Sequence, residues 1–404
     1  MERNLKKRIF SVILSVTLMF ASVFTGCAAE KEFFSGLAQK AGQELLTGRE
    51  EAQTESIYEN SESEAARANT EEEDRQPDLR YAYQTLPQNE RDVYNEIYDA
   101  ITSYEKDIVV STLDKEILDK AYHCVMADHG GLFWISGYSY TQYTRGEELV
   151  RIRFSPKYTM EQQEKETLQE QIDAAVEGIL NGIMPDASDY EKAKYVFDYL
   201  ASEISYDTQA SDNQNIISVF LNKATVCQGY ACATQYLLEK LGIICAIVSG
   251  EANNTAHAWN IVRLDGEYYY IDTTWGNATY SGESGISSNY INYNYFAVTT
   301  EEIEATHHAD DEIILPVCTA VKDNYYVHEN LFLSQWDAQA AGQILADAYY
   351  GGAEFCSIKF KDRTEYEEAF RYFITEQHII DYCKEMTSLY YIEDDTQNVL
   401  TIKF

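Results

Sequence analysis

The length and the charge of the chain already exclude several classes of protein. It has 404 residues, of which 45% are hydrophobic and 24% are charged, a composition that suits a folded protein of roughly two to three domains and excludes wholesale disorder. The 67 acidic and 31 basic residues give a formal net charge of -36, which repels phosphate backbones and anionic lipid surfaces and argues against nucleic-acid binding.

Residues 1–27 have the pattern of a bacterial export signal. Basic residues open the chain, and the uncharged run from Ile9 to Phe24 is shorter than the roughly 20 residues that a membrane-spanning helix needs. Small residues precede Cys27, as in bacterial lipoproteins, although Phe24 stands where an aliphatic residue is usual. We expect lipid on Cys27 and a protein anchored at the outer face of the bacterial cell membrane. Cleavage near Ala28 with secretion, and an uncleaved anchor, are the alternatives.

The rest of the chain divides by composition. Residues 28–80 are expected to form a disordered acidic linker, because acidic clusters recur there and apolar periodicity is thin. Globular patterning begins at about Tyr81. We predict an N-terminal α+β region over 81–185, a core over 186–316 and a small C-terminal α+β region over 317–404.

Apolar periodicity predicts an α+β fold. In chain order we predict helices 90–103 and 114–127, strands 132–140 and 148–154, helices 159–183 and 189–202, a short helix or turn at 213–221, helix 228–241, and strands 243–249, 256–264 and 267–275. The C-terminal region follows with strand 324–327, helix 335–349, strand 354–360, helix 364–374, and strands 388–393 and 398–403.

The cysteines are scattered along the chain. Apart from Cys27, they are Cys124, Cys227, Cys232, Cys245, Cys318, Cys356 and Cys383. No CxxC pair is present, which argues against a zinc knuckle, and an odd, dispersed set is not a disulfide framework. We expect most of them to be buried small apolar residues, with at least one left for chemistry.

Cys227 directly precedes the predicted helix 228–241. A helix N-terminus carries a partial positive charge and unpaired N–H groups, which favour a thiolate and could also bind a tetrahedral oxyanion. Gly229 is expected to let a substrate approach the backbone closely. The alternative is a buried structural cysteine.

The turn at Asp265–Gly266 predicts a hairpin between the two strands on either side of it. In that register Leu264 faces Glu267, and Trp259 faces Asp272. His257 and Asp272 then lie on one face as diagonal neighbours, about 7–8 Å apart at the backbone.

The predicted pairing of His257 with Asp272 has a chemical consequence. The carboxylate of Asp272 can accept the proton of one imidazole nitrogen and leave the other nitrogen facing the thiol of Cys227. Nucleophile, base and orienting acid would then form one unit. Taken singly, His257 could be an ordinary core or surface residue and Asp272 a turn or cap residue.

Three segments around these residues resemble the transglutaminase-like superfamily. They are VCQGYA from Val226, HAWN from His257 and YIDTTW from Tyr270, and the pair Tyr206–Asp207 resembles the family's lead-in. The resemblance implies a papain-like fold, in which a helix bearing the cysteine packs on an antiparallel sheet bearing the histidine and the aspartate. It makes 186–316 a transglutaminase-like catalytic core, in a chain similar to bacterial surface lipoproteins.

The same resemblance implies that Cys227, His257 and Asp272 form a catalytic triad. The family also uses an upstream residue in the oxyanion hole, and Gln214 is within plausible reach. The implied activity is that of a thiol enzyme that attacks amides of a protein or peptide, with cell-wall peptide among the candidates. We expect water to resolve the acyl-enzyme; a transamidating crosslinker and a non-catalytic surface binding or scaffold module are the alternatives.

No metal or other cofactor is expected. His307 and His308 precede Asp310 and Asp311, but consecutive histidines on a polar stretch predict a solvated loop. Animal crosslinking transglutaminases use calcium; this chain has no EF-hand spacing, so calcium is not carried over. Cys232 is expected to pack inward on the helix that follows Cys227.

Overall fold

The computed structural model describes the backbone of residues 52–56 and all of residues 76–277 and 290–404. These residues divide into two compact units, one ending at Ala320 and the other spanning Val321–Phe404. The predicted signal peptide with Cys27, and most of the predicted linker, lie outside the described residues. Among the residues described, no helix has both the length and the apolar character needed to cross a bilayer. The predicted boundaries of 81–185, 186–316 and 317–404 stay predictions.

The described part of the first unit contains the five helices predicted at 90–103, 114–127, 159–183, 189–202 and 228–241, and three short helices that were not predicted. They are α1 (Tyr81–Thr85), α2 (Gln88–Thr102), α3 (Lys115–Asp128), α4 (Gln162–Leu180), α5 (Asp189–Glu203), α6 (Cys227–Lys240), α7 (Thr273–Gly276) and α8 (Thr300–Glu304). Short 3₁₀ turns occur at Pro77–Leu79 and Tyr293–Tyr295, and a π-helical turn spans Ser218–Asn222 where a short helix or turn was predicted.

The strands of this unit form three sheets. They are β1 (Ala52–Ser56), β2 (Ile108–Val109), β3 (Ile135–Arg145), β4 (Glu148–Tyr158), β5 (Ser205–Tyr206), β6 (Ala224–Thr225), β7 (Cys245–Ala252), β8 (Thr255–Leu264), β9 (Glu267–Ile271) and β10 (His307–Ala309). One sheet has the order β1-β3-β4-β2, the second has the order β10-β7-β8-β9, and β5 pairs with β6.

The strand β1 is one element that was not predicted. It lies within 28–80, where a disordered linker was expected, and it pairs in parallel with β3, with Ala52 opposite Tyr140. Pairing of this kind uses backbone C=O groups, which every residue has, and backbone N–H groups, which every residue except proline has. A search for apolar periodicity therefore does not detect it.

The helix that begins at Cys227 packs on the second sheet, as the predicted α+β core requires. Helix α6 contacts β7 and β8, which form an antiparallel pair. Leu237 and Leu238 of α6 are fully buried, and burial of such side chains stabilises the fold by roughly 1.5–3 kcal/mol each. Asn260 of β8 donates its amide to the carbonyl of Ala231, 3.0 Å away, and so fixes the helix against the sheet. The predicted architecture is confirmed.

A buried polar cluster joins the N-terminal helices to α6. The Arg80 guanidinium lies 2.6 Å from the Glu239 carboxylate of α6, and Gln235 donates to the Asp128 carbonyl at 2.7 Å. The Asp128 carboxylate in turn accepts from the Tyr94 hydroxyl at 3.1 Å. Removing one member of a buried charged pair typically costs about 3–5 kcal/mol, so this cluster holds α6 in one position.

The unit Val321–Phe404 is a small α+β fold of its own. Its strands β11 (Phe332–Leu333), β12 (Phe355–Phe360), β13 (Tyr390–Asp394) and β14 (Val399–Lys403) have the order β11-β12-β14-β13. Its helices are α9 (Tyr325–His328), α10 (Ala338–Tyr350), α11 (Arg363–Phe370) and α12 (Ile379–Tyr382), and a π-helical turn, Arg371–Thr375, follows α11.

Helix α9 stands where strand 324–327 was predicted, so that prediction is wrong. Tyr325, Tyr326 and Val327 are residues typical of strands. However, the side chain of Asn324 accepts a hydrogen bond from the backbone N–H of Tyr326 and caps a helical turn. The local cap decides the conformation of this short segment.

Candidate active site

Cys227 is the first residue of α6, with Val226 at the N-cap position. The prediction placed Cys227 just before the helix, whereas it lies inside the first turn. It is still at the positive end of the helix. All seven cysteines of the described residues are free, and Cys227 is the one among them that is not buried. The expectation that most cysteines are buried is confirmed for these residues.

The other described cysteines are poor nucleophiles because of their surroundings. Burial raises the pKa of Cys124, Cys232 and Cys356 to about 12, and that of Cys318 and Cys383 to about 11. A thiol reacts as its thiolate. At neutral pH a thiol reagent should therefore find these side chains both shielded and protonated.

Gly229 has a different role from the one predicted. A Cβ at this position would collide with the Thr225 hydroxyl and would lie 3.2 Å from the Asn213 carbonyl. The loop before α6, rather than a substrate, occupies the space that glycine leaves. The Thr225 hydroxyl donates to the Asn213 carbonyl at 2.8 Å, and this bond holds the loop that carries Gln214 beside the start of the helix.

His257 lies on β8 and contacts both of its predicted partners. Its Nε2 is 2.8 Å from Oδ2 of Asp272, and Cys227 is near enough to raise the pKa of the ring. A carboxylate only accepts, so Nε2 carries the proton and Nδ1 faces the thiol. Burial by itself would lower the pKa of His257, but the Asp272 carboxylate and Cys227 raise it above its ordinary value. The predicted contact between His257 and Asp272 is confirmed.

Asp272 reaches His257 in a way that the hairpin did not predict. The predicted register is confirmed from Leu264↔Glu267 to Asn260↔Ile271, but pairing ends there. The prediction that Asp272 faces Trp259 within the hairpin is therefore wrong. The chain turns into α7, and Asp272 becomes its N-cap.

The cap geometry fixes the Asp272 carboxylate. Oδ1 accepts from the backbone N–H groups of Thr274 at 2.9 Å and Trp275 at 3.2 Å, and the side chain is fully buried. Burial would raise the pKa of Asp272, but the imidazoles of His257 and His307 lower it well below its usual range. The residue is thus a cap and a partner of His257 at the same time.

His307 was missed as a member of this site. It was expected in a solvated loop with His308, but it lies on β10, is 1% exposed, and places Nε2 3.2 Å from Oδ2 of Asp272. Successive side chains of a strand point to opposite faces, so His307 is buried while its neighbour His308 is exposed. The strand has three residues, too few for its alternation to be recognised in the sequence.

His257, Asp272 and His307 also form a group that could hold a metal ion. Their ligand atoms all lie within 4.8 Å of one another, and two imidazoles with one carboxylate would suit zinc. In the described geometry both Nε2 atoms point at the same carboxylate oxygen at hydrogen-bond distance. Hydrogen bonding between these groups accounts for their arrangement.

A cavity of about 100 Å³ lies beside the first turn of α6. Its wall includes Gln214, Gln228, Ser249, Asp310 and Glu312. Oε1 of Gln228 is buried there without a hydrogen-bond partner. The cavity offers space for part of a substrate beside the first turn of the helix that begins at Cys227, and Gln214 as an oxyanion donor stays a prediction.

Comparison with known proteins gives one family model and several similar proteins. Residues 176–273 match the family model of the Transglutaminase-like superfamily. Kyphoscoliosis peptidase of Mus musculus is 25% identical over 107 residues, which are 22% of this chain and 16% of that protein. The Homo sapiens protein of the same name is 24% identical over 122 residues, 26% of this chain and 18% of its own. The chain thus spans less than a fifth of the length of these relatives.

Two solved structures also match this chain, at lower sequence identity than the two peptidases. A crystal structure of a TGase is 14% identical, with a TM-score of 0.26, and the match covers 38% of this chain and 47% of that one. The periplasmic domain of TgpA from Pseudomonas aeruginosa is 16% identical, with a TM-score of 0.21, and the match covers 32% and 55%.

Proposed function

Since this chain carries a domain of the transglutaminase-like superfamily, a family of thiol enzymes, we propose that it hydrolyses peptide or side-chain amides through an acyl-enzyme on Cys227. One observation carries the proposal. His257 is hydrogen-bonded to Asp272 and interacts with Cys227, and the thiol stands at the N-terminus of α6. This is the arrangement that thiol catalysis requires.

The first half of the proposed reaction forms a thioester. The Cys227 sulfur attacks the carbonyl carbon of the amide while its proton resides on Nδ1 of His257. The backbone N–H groups at the start of α6 would stabilise the negative oxygen of the tetrahedral intermediate. Collapse of the intermediate breaks the C–N bond, and His257 gives its proton to the departing amine.

The second half returns the enzyme to its starting state. Water attacks the thioester, His257 accepts a proton from that water, and the carbon–sulfur bond breaks to release a carboxylic acid. Asp272 keeps the proton on Nε2 of His257 and stabilises the imidazolium that forms in both halves. The protein or peptide that supplies the amide would enter through the cavity beside Gln214 and Gln228.

The packing of Trp259 supports water as the acceptor. Transfer to an amine needs a water-excluding passage lined by apolar and aromatic side chains. Trp259 is 2% exposed and packs inside the protein against His257 and His307, with ring centroids 6.2 Å and 4.9 Å away. Trp259 therefore packs against the two imidazoles in the interior and does not line a passage for an amine.

We expect peptide cleavage or deamidation to be faster than amine transfer. The measurement offers the protein a set of glutamine- and lysine-containing peptides together with a fluorescent primary amine, and mass spectrometry follows all products. Covalent incorporation of the amine that is faster than hydrolysis and depends on Cys227 would identify a transamidase instead. A rapidly alkylated Cys227 without any turnover would favour the binding or scaffold module.

We also propose that the protein is exported and held at the outer face of the cell membrane by lipid on Cys27. Intact-mass analysis of the membrane fraction should find a mature chain that begins at Cys27 and carries acyl groups. The Cys27→Ala variant should be released to the medium or remain an uncleaved precursor. A wild-type chain that starts at Ala28 or later and is found in the medium would contradict the proposal.

A further inference from the structure

The second imidazole on Asp272 is a feature that the proposed reaction does not use. Oδ2 of Asp272 is 2.8 Å from Nε2 of His257 and 3.2 Å from Nε2 of His307. One carboxylate oxygen has two lone pairs, so two N–H donors saturate it. With Oδ1 bound to the backbone N–H groups of Thr274 and Trp275, both oxygens of this buried carboxylate have two donors each.

The other ring nitrogen of His307, Nδ1, is hydrogen-bonded as well. It is 2.8 Å from the hydroxyl of Thr306, the preceding residue. The Thr306 carbonyl accepts a hydrogen bond from the backbone N–H of Asn253 at 2.9 Å, and His307 pairs with Ala252 of β7. Backbone and side-chain bonds thus fix both the position of the ring and its orientation.

The approach of β10 to β7 depends on a glycine. A Cβ at Gly250 would lie 2.9 Å from Cα of Ala309 and 2.9 Å from Cη2 of Trp259, and closer still to the carbonyl of His308. Only glycine lets the backbone of β10 and the Trp259 ring come this near. The close packing places His307 over Asp272.

Aromatic rings exclude water from this contact. The centroids of Trp275, Trp259 and Tyr295 lie 4.6, 4.9 and 5.4 Å from the centroid of the His307 ring. In a surrounding of low polarity, a hydrogen bond is stronger and an unpaired acceptor is more costly than in water. The contact between His307 and Asp272 therefore influences where the carboxylate points.

We propose that His307 is a positioning residue of the thiol site: its Nε2–H occupies one lone pair of Asp272 Oδ2 and so directs the other lone pair at Nε2–H of His257. The inference rests on the proposed function. It extends the series of interacting residues to Thr306, His307, Asp272, His257 and Cys227, in which His307 acts only through the carboxylate and touches no substrate.

Two replacements separate the hydrogen bond from the volume of the ring. His307→Gln keeps an N–H donor near the position of Nε2, whereas His307→Met fills similar space without a donor. We expect His307→Met to lower kcat by about 10–100-fold with little change in KM, as removal of such supporting partners does elsewhere. His307→Gln should retain activity within about threefold of wild type, because the hydrogen bond is replaced.

His308→Met is the matched control, since the neighbouring side chain on the same strand is exposed on the opposite face. It should leave kcat and KM unchanged. Thermal melting of all variants reports on folding. If His307→Met does not fold, the comparison of His307→Gln with His307→Asn, which moves the donor toward the position of Nδ1, provides the same test.

A double-mutant cycle decides whether His307 acts through Asp272. In an Asp272→Ala background, His307→Met should cost less than about threefold, because the group that it positions is gone. An equal loss in both backgrounds, or a loss in His307→Gln as large as in His307→Met, would overturn the proposal.

The rate at which iodoacetamide alkylates Cys227 separates this inference from the proposed function. Alkylation needs no substrate, and it should slow in His307→Met and recover in His307→Gln. A wild-type protein without amide turnover would contradict the proposed function and leave this readout usable. Alkylation that is identical in wild type and His307→Met would contradict the positioning role even where turnover is normal.

Discussion

Turnover of amide substrates should fall by about 10⁴-fold or more in the Cys227→Ala variant, because the covalent route loses its nucleophile. The fold should persist, since Cys227 is partly exposed and loss of one sulfur atom leaves little cavity. The measurement is kcat/KM on whichever peptide the wild type cleaves fastest, together with the thermal midpoint of unfolding.

Cys318→Ala is the matched control for this variant. Cys318 is buried, and burial raises its pKa to about 11, so its loss should leave both the activity and the number of rapidly alkylated thiols unchanged. Cys227→Ala should instead remove the one fast-reacting thiol of the described residues. A Cys227→Ala protein that hydrolyses substrate at the wild-type rate would refute the assignment of the nucleophile.

Asp272→Asn should lower kcat by about 10³–10⁴-fold, because an amide cannot replace a carboxylate that accepts from two imidazoles. Each oxygen of the Asp272 carboxylate accepts from two N–H groups. In either orientation, the NH₂ group of the introduced asparagine would therefore face two N–H donors and leave them without an acceptor. Asp272 also raises the pKa of His257, so its loss leaves burial to lower that pKa. The imidazolium form of His257 then exists only at lower pH, and so it stabilises the thiolate of Cys227 over a narrower range of pH. The pH at which alkylation of Cys227 reaches half its maximal rate should therefore move upward.

Asp337→Asn separates the role of Asp272 as a cap from its role in the site. Asp337 caps α10 and accepts from two backbone N–H groups, those of Gln339 and Ala340, as Asp272 does at α7. Asp337→Asn should cost little stability, since asparagine caps helices about as well as aspartate. Asp272→Asn should lower stability further, because two buried N–H groups lose their acceptor. An Asp272→Asn protein that is as active as Asp337→Asn would show that the carboxylate does not orient His257.

Local patterns were sufficient to predict the part of the site that the hairpin organises. The turn at Asp265–Gly266 fixed the register, because a two-residue loop leaves one pairing that keeps the apolar residues on the buried face. The register placed His257 on the face from which it contacts Asp272. Cys227 was identified by the start of α6, which the apolar spacing of that helix predicted to within one residue.

The parts that could not be predicted depend on contacts between distant segments. The strand that carries His307 has three residues, and its position is set by pairing with β7 and by the space at Gly250. Neither feature has a local signature. Asp272 was assigned to a strand because the second arm of the predicted hairpin was extended to Trp275, whereas its carboxylate caps α7. In both cases tertiary packing decided between conformations that the local sequence allows.

The contrast between six buried cysteines and one accessible thiol among the described residues has a consequence for oxidative damage. An oxidant that reaches the described part of the chain meets Cys227 first, because the other six described thiols are buried. The sulfenic acid formed there finds no second exposed thiol among the described residues with which to close a protective disulfide. As far as the described residues go, rescue then depends on a small thiol from outside, and without one the sulfur proceeds to the sulfinic acid, which such thiols cannot reduce. Oxidation of Cys227 would therefore abolish the proposed activity of the protein, while the fold remains intact.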